Sequence, residues 1–499
     1  MTTATPPETD ASQGDRIRQG RIDKLTQWRD QGINPYPYTF DKSHGNQELQ
    51  DKYKDLPTGE ETSDVVHVAG RIMAMRNSGM FIDLQDPTGK LQVFCHKENL
   101  SEDQLAGVKL LDIGDLIGAT GTVRRTPRGE LSIKVTDFKL LGKSLLPLPE
   151  KFHGLTDVET RYRQRYLDLI MNPESRDTLL KRSLLVTEIR QFMIAKGFIE
   201  VETPMLQGIA GGAAAKPFIT HHNTLDQDMF LRIAPELYLK RLIVGGLAEK
   251  VFEMNRNFRN EGISPRHNPE FTMLELYQAY ADYNDMMDLA EELVEAVALK
   301  VLGTTEITFG EHTISLKRPW ARKTMIGAVL EETGVDFAKI ETAEDARKAA
   351  KDLGVQVKDN ESWGSVVEQV FEVKIEESLI QPIHITDYPR DISPLAKEHR
   401  DNPRLVERFE TRINGWEVFN AFSELSDPLD QRGRFESQLE AREAGDDEAH
   451  QMDEDYVTAL EYGMPPTGGM GIGIDRLIML LTNSANIRDV IAFPTLKVK

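Results

Sequence analysis

The sequence contains one cysteine, Cys95, among its 499 residues. A single thiol excludes a disulfide framework and a metal site built from cysteines, and it fits a reducing compartment. Apolar runs long enough to span a membrane are also missing. The stretch MTTATPPETDASQGD has neither a basic start nor an apolar core, so a secretory signal is not predicted. We therefore expect a cytoplasmic protein without a membrane partner.

Positive charge is scarce as well, because 60 Lys and Arg residues stand against 81 Asp and Glu residues, for a formal net charge of −21. An excess of this size argues against a protein that coats nucleic acid without specificity, and DNA is not an expected partner. A specific RNA partner needs only a local basic patch. Arg124, Arg125 and Arg128 supply such a patch.

The first 160 residues fall into four segments that differ in composition and residue pattern. Residues 1–14 are rich in Thr, Pro, Ser and Gly, which is typical of a disordered tail. Residues 15–64 begin with apolar side chains at helical spacing and are interpreted as a helical segment. Residues 65–144 hold short β-rich runs between turn signals, and about five strands in that length predict a small β-barrel. The proline-rich stretch LLPLPEKFHG indicates a linker at 145–160.

The larger part of the chain, residues 161–499, mixes helix and strand patterns. Its strand-like runs do not alternate regularly with helices, which argues against a doubly wound parallel sheet and favours an α+β domain. Residues 321–379 are mostly amphipathic helix with few reactive side chains. We interpret them as a helical insertion.

Charges of both signs are concentrated in FRNEGISPRHNPEFTMLELYQAY, residues 258–280. Pro265 and Pro269 exclude a continuous helix, and the alternating runs on either side predict strand, loop and strand. The second strand places four side chains on one face: Phe271, Met273, Glu275 and Tyr277. A salt-bridged hairpin is the ordinary interpretation. However, glutamate is uncommon inside strands, and such a face suits a pocket wall.

This stretch resembles motif 2 of the class II aminoacyl-tRNA synthetases. RSLLVTEIRQFMIAKGFIEVETPML (182–206) is similar to motif 1, and PTGGMGIGIDRLIMLL (466–481) to motif 3. The barrel ahead of them resembles the anticodon-binding OB domain of subclass IIb, which serves Asp, Asn and Lys. The match is best to the bacterial lysyl-tRNA synthetases and covers nearly the whole chain beyond the tail.

That resemblance implies an antiparallel-sheet catalytic domain with flanking helices behind a five-stranded OB-fold barrel. It also implies a homodimer that activates L-lysine with ATP and Mg²⁺, and then transfers lysine to tRNA(Lys). The third motif predicts a strand that enters a helix capped by Asp475, with Arg476 in the first turn.

The resemblance assigns the two catalytic candidates, Arg259 and Arg476. Arg259 would bridge the α-phosphate of ATP and the substrate carboxylate, and Arg476 would lie against adenine and near the γ-phosphate. A planar guanidinium suits such anions. Further implied contacts to ATP are Glu261, His267, Asn268, Phe271 and Glu410. No covalent enzyme intermediate is expected, so catalysis would rest on positioning and electrostatic stabilisation.

RFETRINGWEVFNAFSEL, residues 408–425, predicts a β-hairpin that turns at Asn414-Gly415. Simple alternation opposes Arg412 to Glu417 and Glu410 to Phe419, which places the two glutamates on one face. A surface pair screened by Arg412 is the simpler interpretation of the residues alone. The resemblance implies instead that Glu410 and Glu417 bind Mg²⁺.

The same hairpin carries Asn420, Phe422 and Glu424 on the opposite face if alternation is unbroken. The resemblance places them in one site with Glu417, so we expect a bulge near 418–420.

The implied amino-acid pocket suits an ammonium group, because it offers Glu275, Tyr277 and Glu424. Glu236 would bind the substrate α-amino group, although a glutamate after Pro235 has an equally good structural explanation at a helix start. Gly212 would add a backbone carbonyl. The implied lysine-binding set is completed by Arg259, Asn420 and Phe422.

In the barrel, the resemblance implies four anticodon contacts: Arg76, Phe81, Gln92 and Glu130. Such a site would stack a base on the aromatic ring and read the base edge with polar groups. Phe81 alternates with Ile and Leu, so a place in the barrel core explains it equally well.

Two other functions compete with this one. A lysyl transferase that modifies a translation factor would share the chemistry, but such paralogues usually lack the barrel. A catalytically inactive, synthetase-like RNA-binding protein would not need the intact charged set of Arg259, Glu261, Glu410, Glu417 and Arg476.

Overall fold

A computed structural model of the protein describes residues 10–149, 155–443 and 451–498. The chain divides into two units, Met1–Thr156 and Asp157–Lys499. The division falls inside the range predicted as a linker. Residues 1–9 of the predicted tail and 150–154 of that linker lie outside the described residues.

The first unit is a barrel preceded by two helices. Its elements are α1 (Asp10–Asp30), α2 (Asn46–Lys52), β1 (Glu61–Arg76), β2 (Phe81–Gln85), β3 (Lys90–Phe94), α3 (Glu102–Leu110), β4 (Leu116–Arg125) and β5 (Leu131–Gly142). The strands close in the order β1-β2-β3-β5-β4, which confirms the predicted five-stranded barrel. Helix α1 begins inside the predicted tail, because the acidic and small polar residues there are also favourable in a first helical turn.

The barrel core follows the period of two that strands impose. Ile82 and Leu84 on β2 and Val93 on β3 are fully buried, whereas Phe81 is only half-buried. Phe81 is therefore not part of the barrel core, and the core interpretation of this residue is wrong.

The second unit starts with a helical stretch and the first strands of its sheet. Its first elements are α4 (Val158–Arg163), α5 (Arg165–Met171), α6 (Pro173–Ala195), β6 (Ile199–Glu200), β7 (Leu206–Gln207), β8 (Ile219–His222), β9 (Gln227–Leu231), α7 (Glu236–Val244), β10 (Lys250–Phe258), β11 (Glu270–Ala279), α8 (Tyr283–Leu302), β12 (Glu306–Phe309) and β13 (His312–Ser315). Helix α6 stops before Gly197, whose φ of 84° only glycine adopts at little cost.

The remaining elements include the predicted insertion. They are β14 (Ala321–Thr324), α9 (Met325–Thr333), α10 (Ala343–Asp352), α11 (Trp363–Lys374), β15 (Ile383–Thr386), β16 (Glu398–His399), β17 (Asn402–Val406), β18 (Arg408–Ile413), β19 (Trp416–Ser423), α12 (Pro428–Glu443), α13 (Glu454–Glu461), β20 (Thr467–Gly473), α14 (Ile474–Leu481) and α15 (Ile487–Val490). Three α-helices and two short 3-10 helices occupy the insertion, but its first four residues form β14, which joins the main sheet.

One sheet of eight strands organises the unit, in the order β14-β15-β18-β19-β20-β11-β10-β6. The interior pairs are antiparallel, and the terminal pairs β14–β15 and β10–β6 are parallel. The expected α+β fold with a largely antiparallel sheet is confirmed. Leu274 and Leu276 of β11 pack into a core with α6, α8 and α14, so the alternate residues of β11 face the other side. None of the helices in the described ranges is long and apolar enough to cross a membrane.

Candidate active site

The free face of the sheet forms one wall of a cavity of about 430 Å³. Every residue predicted to bind ATP, lysine or metal lines it. These are Gly212, Glu236, Arg259, Glu261, His267, Asn268, Phe271, Glu275, Tyr277, Glu410, Glu417, Asn420, Phe422, Glu424 and Arg476. Residues spread over more than 260 positions of sequence therefore meet on one surface.

Arg259 lies where β10 leaves the sheet, and its backbone N–H donates to the Pro269 carbonyl at 2.9 Å. Its guanidinium carbon lies 5.2 Å from the centre of the Phe271 ring. The described residues provide neither an ion pair nor a side-chain hydrogen bond for it, and Nε is buried without a partner. A half-buried guanidinium without a counter-ion, facing a cavity, is suited to bind an anionic ligand.

Arg476 connects motif 3 to motif 2. It donates to the Glu417 carbonyl at 2.9 Å, to Glu417 Oε2 at 3.3 Å and to His267 Nε2 at 2.8 Å. Burial, and then the charge of Arg476, lower the pKa of His267, so the imidazole is the acceptor in this contact. Arg476 lies in the first turn of α14, where the helix dipole disfavours a cation, so its position is better explained by the site.

Asp475 does not cap α14, contrary to the expectation, because Gly473 occupies the cap position. The Asp475 carboxylate instead accepts hydrogen bonds from the Thr272 backbone N–H at 2.7 Å and from Arg182 at 2.5 Å. It therefore joins motif 3 to motif 2 and motif 1 beneath the cavity.

The hairpin of β18 and β19 has the predicted turn, with φ of 55° at Asn414 and 67° at Gly415. Arg412 faces Glu417 as expected, but Glu410 faces Asn420, so its predicted pairing with Phe419 is wrong. The register shifts by one residue at Val418, which confirms the expected bulge. The bulge explains how Glu417, Asn420, Phe422 and Glu424 all reach the cavity.

The two candidate metal ligands have different surroundings. Glu410 is 5% exposed and accepts from Arg408 at 2.6 Å and also from Arg412. Glu417 contacts only Arg476 among these arginines. No group of three His, Cys, Asp or Glu side chains suited to a metal occurs in the part of the chain that the structure describes. Two carboxylates are nevertheless enough for Mg²⁺, whose other ligands are commonly phosphate oxygens and water.

The opposite end of the cavity is acidic. Glu236, Glu275 and Glu424 are buried there, and the Tyr277 hydroxyl lies 3.3 Å from Glu275 Oε2. Burial, and then the charge of Glu236, raise the pKa of Glu275 to about 8. Glu236 begins α7, which confirms its place at a helix start, and it also lines the cavity; its contact with the substrate α-amino group stays a prediction.

Glycines make room for these side chains. A Cβ at Gly469 would lie 1.9 Å from Glu424 Oε1 and 2.6 Å from the Tyr277 ring, so only glycine fits there. Gly212 has a φ of 88°, and a Cβ there would lie 3.0 Å from the Cβ of Glu236.

Sequence reasoning missed Lys240, which pairs with Glu236 at 2.5 Å and contacts Glu424. Its spacing of four residues after Glu236 on α7 was the available signal, because such pairs share a helix face. Nothing in the sequence connects Lys240 to Glu424, which lies 184 positions away.

On the barrel, three of the predicted anticodon contacts, Arg76, Phe81 and Gln92, lie on the neighbouring strands β1, β2 and β3. Phe81 faces Phe94 across β2 and β3, with ring centres 5.0 Å apart. Gln92 is buried and accepts from Ser132 at 2.6 Å, and Arg76 pairs with Asp83 through two contacts of 2.8 Å.

Hydrogen bonding to Asp83 raises the pKa of Arg76 against the lowering effect of burial, and the charges of Asp83 and then of Glu130 raise it further. Glu130 is therefore close to Arg76, in the turn before β5.

The aromatic surface extends beyond Phe81 to residues that were not predicted from the sequence. His96 stacks on Phe94 at 5.3 Å between ring centres, and the guanidinium of Arg124 lies 5.1 Å from the centre of the Phe94 ring. The alternation of Gln92, Phe94 and His96, along β3 and just beyond its end, could have indicated this platform.

The chain is similar to known proteins over nearly its whole length. Residues 157–497 match the family of class II tRNA synthetases (D, K and N), and residues 66–141 match the OB-fold nucleic acid binding domain. The chain is 57% identical over 479 residues to a lysine–tRNA ligase of Carboxydothermus hydrogenoformans. The aligned residues cover 96% of this chain and 97% of that relative. It is 52% identical, over the full length of both chains, to a lysine–tRNA ligase of Rhizobium meliloti.

Proposed function

The chain belongs to the class II tRNA synthetases that serve aspartate, lysine and asparagine, and from this premise we infer that it is a lysine–tRNA ligase. In the first step, a carboxylate oxygen of L-lysine attacks the α-phosphorus of ATP, and pyrophosphate leaves. In the second step, the 3′-terminal hydroxyl of tRNA(Lys) attacks the carbonyl carbon of the lysyl-adenylate, and AMP leaves.

The acidic end of the cavity is the observation that supports lysine within this family. Three buried carboxylates and the Tyr277 hydroxyl suit a substrate that carries two ammonium groups. An aspartate substrate would instead need cations at this end. An apolar amino acid would leave the buried carboxylates of the protein without partners, and sites of this kind reject such ligands. The same residues would therefore exclude apolar amino acids.

The other end of the cavity suits the nucleotide. We propose that Arg259 lies between the substrate carboxylate and the α-phosphate, where its positive charge reduces the repulsion of two approaching anions. Phe271 would stack on adenine, and Arg476 would contact the base and the γ-phosphate. Glu261, His267 and Asn268 complete the proposed contacts. The role of these residues is to orient the reactants and stabilise charge, with no covalent intermediate.

Glu410 and Glu417 are the proposed Mg²⁺ ligands, together with ATP phosphate oxygens. Bound there, Mg²⁺ would neutralise phosphate charge. The described residues fit this role because both carboxylates line the nucleotide end and one of them has only one arginine contact.

For the RNA partner, we propose that Phe81 stacks on an anticodon base of tRNA(Lys) and that Arg76, Gln92 and Glu130 read base edges. The half-buried ring and the adjoining Phe94 support a stacking surface. The proposed compartment is the cytoplasm, where the single buried Cys95 remains a thiol.

The experiment is ATP–pyrophosphate exchange with each amino acid in turn, followed by charging of bulk tRNA. A lysine–tRNA ligase exchanges with lysine and charges tRNA. Exchange without charging would indicate a transferase for another acceptor, and no exchange would indicate an inactive RNA-binding protein.

A further inference from the structure

A lysine of the protein itself lies beneath the acidic end of the cavity. The Lys240 side chain is fully buried, and its ammonium is 2.5 Å from Glu236 Oε1 and in contact with Glu424 Oε2. Three aromatic rings surround the ammonium, with their centres 5.3 to 5.9 Å away: Tyr277, Phe422 and Tyr456. Carboxylates and aromatic faces are the groups that recognise an ammonium ion.

This ammonium stays charged in its buried place. Burial alone lowers the pKa of Lys240, but the charges of Glu236 and Glu424 raise it above its ordinary value. In the opposite direction, burial raises the pKa of both glutamates, and the Lys240 ammonium opposes that rise. Each group therefore supports the charged form of the other.

Lys240 is not among the residues that line the cavity, whereas Glu236 and Glu424 are. Glu424 turns Oε2 toward Lys240 in an ion pair, and Oε1 is buried close to Gly469 without an ion pair; neither oxygen has a hydrogen-bond partner in the described ranges. An unpartnered carboxylate oxygen beside an occupied one leaves an acceptor for a second ammonium.

The negative and positive charges at the acidic end of the cavity become equal in number when a substrate with two ammonium groups is bound. Glu236, Glu275 and Glu424 are three carboxylates, and Lys240 is one ammonium. A bound lysine adds two ammonium groups, while its carboxylate faces Arg259. The site then holds three carboxylates and three ammonium groups, and buried charges are tolerated only when they are paired in this way.

We propose that Lys240 is a positioning residue that determines specificity, acting as a built-in third ammonium that holds Glu236 and Glu424 in place as carboxylates for a substrate with two ammonium groups. The proposal rests on the proposed function, because it assumes that lysine is the amino acid activated.

A competing arrangement makes the opposite prediction. If the Lys240 ammonium occupied the place of the substrate ammonium, it would compete with lysine and have to move away. Removing its charge would then lower the lysine KM, whereas the proposed role requires the lysine KM to rise.

The test is lysine-dependent pyrophosphate exchange with the full-length chain and the variant Lys240→Met, which keeps the side-chain stem and removes the charge. The lysine KM should rise roughly 10- to 100-fold, as expected when a buried charge partner is lost, while the ATP KM stays within about twofold. Arg241→Met is the matched control, because Arg241 lies on the same helix but pairs with Asp453. Its lysine KM should stay near the wild-type value.

Two further variants separate charge from shape. Lys240→Gln is neutral but keeps N–H donors, so its lysine KM should rise by the same 10- to 100-fold. It provides the test if Lys240→Met fails to fold. With Lys240→Ala, added propylammonium should restore part of the lysine affinity, whereas it should not help the wild type or Lys240→Met.

An unchanged or lower lysine KM in the neutral variants, or full activity of Lys240→Gln, would overturn the proposal. The wild type separates this failure from failure of the proposed function. If the wild type exchanges with another amino acid, the proposed function is wrong. If the wild type uses lysine and the neutral variants do so equally well, only the role of Lys240 is wrong.

Discussion

Glu275 should couple lysine binding to proton release. Its pKa is raised to about 8 by burial and by Glu236, so the empty site holds a proton on this carboxyl at pH 7. Since the substrate ammonium requires the ionised form, lysine binding should release close to one proton at pH 7, and this number should fall as the pH rises through 8. Calorimetry in two buffers of different ionisation enthalpy measures it. Glu275→Gln should abolish most of the release; undiminished release would assign the proton to Glu236 or Glu424.

The same shift affects the stability of the free protein. The folded pKa of Glu275 lies above its ordinary value, so between about pH 4.5 and pH 8 the folded state binds more protons than the unfolded state. Stability therefore decreases as the pH rises through this window, in contrast to an ordinary paired carboxylate. The difference in Tm between the wild type and Glu275→Gln, followed against pH, should show this slope.

Glu424 should determine affinity for lysine without affecting ATP. Glu424→Gln keeps the shape and removes one negative charge, so the lysine KM should rise at least about tenfold because a hydrogen bond to a charged group is weakened. ATP affinity should remain almost unchanged, since the proposed phosphate contacts lie at the other end. Exchange equal to the wild type at low lysine would remove the main physical support for the amino-acid assignment.

Glu410 and Glu417 should respond differently to substitution. Glu410→Ala leaves Arg408 and Arg412 without their shared carboxylate, so it should cost about 3–5 kcal/mol of unfolding free energy. Glu417→Gln should lower exchange by about 100-fold or more with little change in stability, and tRNA binding should persist. Denaturant unfolding and exchange assays distinguish the two. A loss of tRNA binding equal to the loss of exchange would indicate a structural role for Glu417.

At the scale of elements, we expect the two faces of strand β2 to have different roles. Phe81→Ala should weaken tRNA charging by roughly 1–3 kcal/mol of stacking energy while sparing pyrophosphate exchange. Ile82→Ala, on the buried face of the same strand, is the control and should destabilise the barrel by about 2–5 kcal/mol. If Phe81→Ala reduces exchange as much as charging, the stacking role is wrong.

Helix α6 presents an apolar surface that its own unit does not cover. Leu180, Leu184 and Ile194 are each more than half exposed, and the first two are four residues apart on one helix face. An exposed apolar stripe on a helix that resembles motif 1 supports our proposal that the protein forms the homodimer that this resemblance implies.

At the scale of the whole molecule, association should depend on this stripe. The double substitution Leu180→Glu and Leu184→Glu should shift the protein from dimer to monomer, because it adds unpaired charge to an apolar interface. Leu330→Glu, at an exposed leucine of α9, is the control and should leave the mass unchanged. Sedimentation at micromolar concentration measures the outcome, and a wild-type protein that is a stable, active monomer would exclude the dimer.

Local signals in the sequence were sufficient for several elements. The Asn414-Gly415 turn, the stop of α6 before Gly197 and the alternation of β11 depend on residues within a few positions of each other. Backbone preferences and strand or helix periods act over this range, so the five-stranded barrel and the strand, loop and strand of motif 2 could be predicted. The ordered motifs also identified the residues that line the cavity, through their resemblance to a known family.

Contacts between distant segments were decided only by the tertiary structure. The position of the bulge at Val418, and with it the partner of Glu410, depends on how β19 fits between β18 and β20. The Asp475 carboxylate does not cap its helix, because it accepts hydrogen bonds from Thr272 and Arg182, which lie on other elements. Lys240 becomes a buried counter-ion because the sheet brings Glu424 against α7. Burial and charge pairing act through space, so no pattern confined to one stretch of the chain could specify these three contacts.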